Sequence, residues 1–207
     1  AMPSAQDLNR TLGNVAHLII EKVFGKPIKE ACNYYKTEYE TIFEESVNEK
    51  GLLLRLPEYA IDLRRLKSKM QEALDKLAKV IIDNGLTVDA CEYEFKQAKW
   101  TEAGDGVTLY ARADMLLRDD MGGKVIFDFK YSTSQKFYKE LIENNHTLQL
   151  EFYRHMAKQE FGKDTNVRVA YVLLPDVTIL TADEFDDIDA IKLKTDRAFA
   201  DVIAEAA

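Results

Sequence analysis

The sequence predicts an α/β (α+β) fold, a mixed β-sheet flanked by helices and carrying a helical insertion. Three observations predict it. Residues 87–132 hold three β-rich segments in succession, separated by glycine-containing turns. Residues 166–175 then read NVRVAYVLLP, a nearly continuous apolar run suited to a strand covered on both faces. Helical periodicity precedes the first of these strands and separates the third from the fourth.

In chain order, LNRTLGNVAHLIIEKVFG repeats apolar residues at helical spacing and stops at Gly25 before Pro27, which predicts a first helix. Residues 28–85 are charge-rich and helix-prone, broken near Gly51 and Pro57. Their second half, RRLKSKMQEALDKLAKVIIDNG, reads as a long amphipathic helix ended by Gly85. This block is expected to be an insertion or a lid. TVDACEYEFKQAKW, GVTLYARADMLL and KVIFDFKYS form a predicted three-strand meander. Residues 136–161 read as one helix closed by Gly162, NVRVAYVLLP as the fourth strand, and DIDAIKLKTDRAFADVIAEA as a terminal helix after an acidic turn. With no internal repeat and no long linker, residues 1–207 are expected to form a single domain with its helical insertion at about 28–85.

Composition narrows the classes. At 207 residues and 46% hydrophobic content the chain can bury a substantial core. A net charge of −8 argues against a general nucleic-acid coat protein, although it leaves a local basic cleft open. The two cysteines, Cys32 and Cys91, are far apart, so neither a disulfide framework nor a cysteine metal site is expected. No run is apolar enough to span a membrane and no secretion signal is visible, so a cytoplasmic setting without a membrane partner is expected.

The chemistry-bearing residues begin with VIFDFK. Strand alternation puts Asp128 and Lys130 on one face and Phe127 and Phe129 on the other, with the charged pair projecting from a rigid edge. Alternation also places Tyr110, Arg112 and Asp114 on one face of the preceding strand, with Leu109, Ala111, Ala113 and Met115 opposite. If the strands are neighbours, Asp114 and Asp128 converge, and two hard oxygen ligands suit Mg²⁺ or Mn²⁺ better than zinc. Lys130 beside them can orient water or neutralise a phosphate. Taken alone, Asp128 and Lys130 also fit an edge-strand ion pair that discourages aggregation. His17 and Glu21, and Gln149 and Tyr153, are each four apart on a helix and therefore share a face.

Taken together, Gly13-x-x-x-His17-x-x-x-Glu21, Asp114, Asp128-x-Lys130 and Gln149-x-x-x-Tyr153 occur in an order that resembles the RecB-like branch of the PD-(D/E)XK nuclease superfamily. The resemblance covers the first helix and about residues 91–174. It implies a restriction-endonuclease-like core and hydrolysis of DNA phosphodiesters with Mg²⁺ or Mn²⁺. It further implies that His17, Asp114, Asp128 and the Phe129 backbone carbonyl ligate metal, that Lys130 is the catalytic lysine, and that Gln149 and Tyr153 line the catalytic site. Glu21 and Glu94 are possible supports. Ala111 stands where a glycine is usual, and Tyr131-Ser132 follow the D-x-K motif where Thr-Gly is usual. No iron–sulfur cluster is expected, since its four-cysteine signature is missing. The implied setting is DNA repair or recombination, with DNA as partner and a helicase beside the nuclease. Exonuclease and endonuclease activities both fit. A catalytically inactive nuclease-fold module that binds nucleic acid or protein is the alternative. Lys136, Lys139, Arg64, Arg65, Lys67 and Lys69 are candidate sources of positive charge toward DNA.

Overall fold

The first helix forms as α1 (Ala5–Phe24), started by a capping box in which the Ser4 hydroxyl accepts from the Asp7 N–H and the Asp7 carboxylate accepts from the Ser4 N–H. The computed structural model describes residues 4–96, 98–100, 107–144, 148–184 and 190–192. One face of α1, including Val15, Ala16, Ile19 and Val23, is fully buried. Residues 28–83 follow as α2 (Ile28–Lys50), two short 3₁₀ turns (Leu52–Arg55 and Pro57–Tyr59) and α3 (Ala60–Asp83). They do not stand apart as a lid. Tyr35, Ile42, Phe43, Leu66, Met70 and Leu74 join α1 in the cluster that covers one face of the sheet. Two phenols fasten the helices together, Tyr35 to Asp75 at 2.7 Å and Tyr39 to the Lys67 carbonyl at 2.5 Å.

The strands are β1 (Thr87–Glu94), β2 (Ala98–Trp100), β3 (Val107–Leu109), β4 (Arg112–Arg118), β5 (Lys124–Tyr131), β6 (Val167–Leu174), β7 (Thr178–Thr181) and β8 (Ala190–Lys192). Six form one mixed sheet in the order β1-β4-β5-β6-β7-β8, and β2 and β3 pair in a separate ribbon. The meander is therefore present as β1-β4-β5, but its first two segments are each divided. Pairing of β1 with β4 runs to Glu94↔Arg112 and one further bond, Phe95 N–H to the Ala111 carbonyl, before the chain leaves the sheet for the ribbon.

Helices α4 (Gln135–Glu143) and α5 (Leu148–Phe161) make the crossover that lets β6 lie parallel to β5. They replace the single helix expected over 136–161. Asn144, a poor helix former, sits at the end of α4. Ile142, Leu150, Met156 and Ala157 cover the second face of the sheet. Strand β6 is sandwiched between the layers: Val167, Val169, Tyr171 and Leu173 face α5, while Ala170, Val172 and Leu174 face the α1 side. This explains its continuous apolar run.

Two further expectations are corrected. Strand β5 is paired with β6 along its whole length and with β4 as far as Phe127, and Asp128 is buried at 1% exposure. The edge-strand ion-pair reading of Asp128 and Lys130 therefore falls. The terminal segment begins as β8, parallel to β7, where a helix was expected from Asp187. The remainder of that expected helix lies outside the described residues. Strand β7 escaped sequence reading because four residues are too short to show a period. Among the described residues, no helix is long and apolar enough to cross a membrane.

Candidate active site where two strands diverge

Strands β4 and β5 pair from Arg118↔Lys124 to Met115↔Phe127 and then separate. A strand that loses its neighbour leaves backbone groups needing partners. Here they come from side chains. The Phe129 N–H donates to Asp114 Oδ2 at 2.7 Å, and its carbonyl lies 2.9 Å from His17 Nε2. His17 is carried by α1, which packs on β5, and its Nδ1 lies 3.6 Å from Asp114 Oδ1. Three segments distant in sequence thus meet at the backbone of one residue.

Glu92 joins them. Ligand atoms of His17, Glu92 and Asp114 lie within 4.8 Å of one another. In β1, Glu92 has φ 51, a left-handed conformation uncommon for a non-glycine residue. It interrupts the strand's alternation: Cys91 packs toward the α1 side, whereas Tyr93, two residues on, packs with Phe95 and Phe161 on the α5 side. The same break occurs across the ladder, where Ala113 and Met115, expected on one face, fall in opposite layers. Glu92 and Asp114 consequently face a shared cleft of about 390 Å³, also lined by His17, Glu21, Lys50 and Arg112. Glu94, the acid that the resemblance suggested, is exposed at the end of β1. Tyr110, expected beside Arg112 and Asp114, lies outside the strand and is exposed.

The expected alternation holds in β5. Phe127 and Phe129 enter the α1-side core, while Asp128 and Lys130 turn toward α5. Asp128, only 1% exposed, accepts from Tyr153 Oη through Oδ1 at 3.0 Å. Its Oδ2 is 2.7 Å from Lys130 Nζ but accepts no well-directed hydrogen bond among the described residues. Lys130 Nζ also donates to Gln149 Oε1 at 3.1 Å, and Gln149 Nε2 donates to Tyr153 Oη at 2.9 Å. The four side chains close a ring, and α5 supplies its two neutral members. Burial, reinforced by the Asp128 charge, pushes the Tyr153 phenol upward, so it remains a proton donor.

Electrostatics fit a cation at this place. Burial pulls His17 below the ordinary imidazole value, leaving it neutral near pH 7 as a metal ligand must be. Burial first, and then the nearby Asp128 charge, push the Asp114 carboxyl from 3.8 up to about 7. A crowded acid group, a neutral imidazole and the nearby Glu92 carboxylate suit a hard divalent ion, while Asp128, paired with Lys130 at 2.7 Å, lies outside that three-residue group. Because the folded state holds the Asp114 proton more tightly than the unfolded chain, the metal-free fold loses stability as pH rises from about 4 to about 7. Cation binding must displace that proton. Its affinity is expected to fall about tenfold per pH unit below about pH 7. Mn²⁺ titration across this range checks the slope, and a flat profile would remove Asp114 from the ligand set.

The outlying basic residues are less available than their sequence suggests. Lys67 pairs with Glu40 at 2.5 Å, Lys69 with Glu72 at 3.0 Å and Lys136 with Glu140 at 3.7 Å.

No curated protein matches the chain. Among solved structures, the crystal structure of SSO0001 is similar at 16% identity, covering 93% of this chain and 71% of that one with a TM-score of 0.35. The model of the PD-(D/E)XK nuclease superfamily matches residues 2–206. With nearly the whole sequence matched, and with a mixed sheet between helical layers, the chain belongs to the PD-(D/E)XK nuclease superfamily.

Proposed function

We propose that this chain is a metal-dependent deoxyribonuclease of the RecB-like branch, a single domain over residues 1–207 with its helical insertion at about 28–85. Its proposed setting is DNA repair or recombination in the cytoplasm, beside a helicase or further domains of a longer polypeptide. One observation carries the catalytic reading: His17 and Asp114 converge on the backbone of Phe129, between Asp128 and Lys130 in sequence. Convergence across so much sequence at a splayed strand has no stabilising necessity, since continued pairing of β4 would satisfy the same groups.

In this reading His17, Asp114, Asp128 and the Phe129 carbonyl hold Mg²⁺ or Mn²⁺. Bound there, the ion supplies a Lewis acid that polarises the scissile phosphate and offsets its developing charge. Lys130, steered by Asp128 and Gln149, presents its ammonium to the attacking water or to a phosphate oxygen. Tyr153 and Gln149 hold Asp128 and Lys130 in register, so that neither must reorganise as charge develops.

The test is incubation of the purified chain with labelled single-stranded, double-stranded and closed circular DNA, with Mg²⁺, Mn²⁺ or a chelator. Cleavage that requires metal and drops about 10²-fold or more in Lys130→Ala is the expected result. Circular DNA left intact would assign an exonuclease, and cut circles an endonuclease. DNA and cation binding without cleavage would instead make this an inactive nuclease-fold module.

A further inference from the structure

We propose that Arg112 is a substrate-phosphate ligand masked by Glu92, and that cation binding unmasks it. The proposal rests on the nuclease reading above. Arg112 Nε lies 2.9 Å from Glu92 Oε2, at the rim of the cleft that holds His17 and Asp114. The backbone and the side chain of this arginine are under different constraints. Its carbonyl lies 3.0 Å from Tyr153 Oη, which ties its position to the Asp128 network, whereas its side chain is 62% exposed. The guanidinium can therefore swing while its origin stays fixed beside the reacting centre.

Glu92 has two competing uses. It pairs with Arg112, and it belongs to the three-residue group opposite Asp114. Two acids facing each other across paired strands repel, so the pair with Arg112 relieves Glu92 when no cation is bound. An exposed arginine–carboxylate pair is weak, and a divalent ion shared with Asp114 and His17 outcompetes it. Once Glu92 turns inward, Arg112 loses its counter-charge, and its fork of N–H donors matches a phosphate. The left-handed backbone at Glu92 is what aims this carboxylate into the cleft. Before the exchange, Glu21, Glu92 and Asp114 face Lys50 and Arg112, an inner wall poorly suited to DNA. Cation and DNA binding are thereby positively coupled, each strengthening the other by the same factor.

The experiment measures Mn²⁺ binding by the signal of the free ion, and binding of a short single-stranded oligonucleotide in a Lys130→Ala background that holds cleavage off. Arg112→Ala is expected to bind Mn²⁺ about two- to fivefold more tightly, because Glu92 is released. Glu92→Gln is expected to bind Mn²⁺ about tenfold more weakly yet to bind the oligonucleotide better without cation, a gain that disappears in the double variant. The salt dependence separates an exchange from a general charge effect. With Mn²⁺ present, Arg112→Ala should lower the slope of oligonucleotide binding by about 1, and without Mn²⁺ by about 0. Arg112→Lys should keep most of the slope as a point charge. Unchanged or weaker Mn²⁺ binding by Arg112→Ala, or an equal slope difference with and without Mn²⁺, would overturn the exchange and leave the metal site standing. Failure of the wild-type chain to bind Mn²⁺ at all would overturn the site and the exchange together.

Discussion

Asp128→Asn is expected to reduce metal-dependent cleavage by about 10³-fold or more without lowering the melting temperature of the metal-free protein. Asparagine matches aspartate in size and keeps an oxygen that can accept from Tyr153 Oη. What it removes is charge. In the metal-free fold that charge is a burden, because Asp128 helps to push the Asp114 carboxyl up to about 7. Removing it relieves Asp114, while Lys130 retains Gln149, partial solvent exposure and the Tyr171 ring 5.7 Å away. With substrate present, the same change deletes a proposed anionic metal ligand and the group that pairs with the lysine at 2.7 Å. Cleavage assays and thermal melts of one preparation check both halves. A protein that melts much lower and loses activity in proportion would show Asp128 to be a structural residue.

Phe127→Ala is expected to be the reverse case, costing about 3–5 kcal/mol of stability. Phe127 is fully buried in β5, paired with Met115 on one side and Ala170 on the other, and its ring enters the layer built by α1, α2 and α3. Truncation leaves a hole that helices on one side and a paired strand beneath cannot close. Against a total stability of about 5–15 kcal/mol, this loss lowers the melting temperature by on the order of 10 °C. A denaturant titration should show a lower midpoint at an unchanged slope. A loss below about 1 kcal/mol would mean that the layer is loosely packed and repacks around the gap.

Those residues were legible in the sequence for different reasons. Phe127 and Phe129 alternate cleanly with Asp128 and Lys130, and regular pleating carries each to its expected layer. Gln149 and Tyr153, four apart on a helix, hydrogen-bond to each other as helical spacing requires. Glu92 was missed because alternation fails at that residue. A rule of period two treats Glu92 and Glu94 alike, and only the left-handed backbone at position 92 selects which acid enters the cleft. The charge-rich block at residues 28–85 hides its core face in composition. Its polar residues dominate the composition, but Tyr35 and Phe43 on α2 and Leu66 and Leu74 on α3 pack with α1 in one core. For Asp128 and Lys130 taken alone, an edge-strand ion pair was the alternative reading. They are accommodated inside by the ring that Gln149 and Tyr153 complete.

His17 and the Phe129 carbonyl are separated by 112 positions. At that carbonyl strand β5 is paired by β6 alone, β4 having already separated. During synthesis the α1, α2 and α3 layer leaves the ribosome before the strands it covers. The histidine therefore meets Asp114 and the Phe129 carbonyl only once residues through β5 have emerged. In the proposed nuclease, a growing chain that still lacks β5 would carry the histidine without the site it serves.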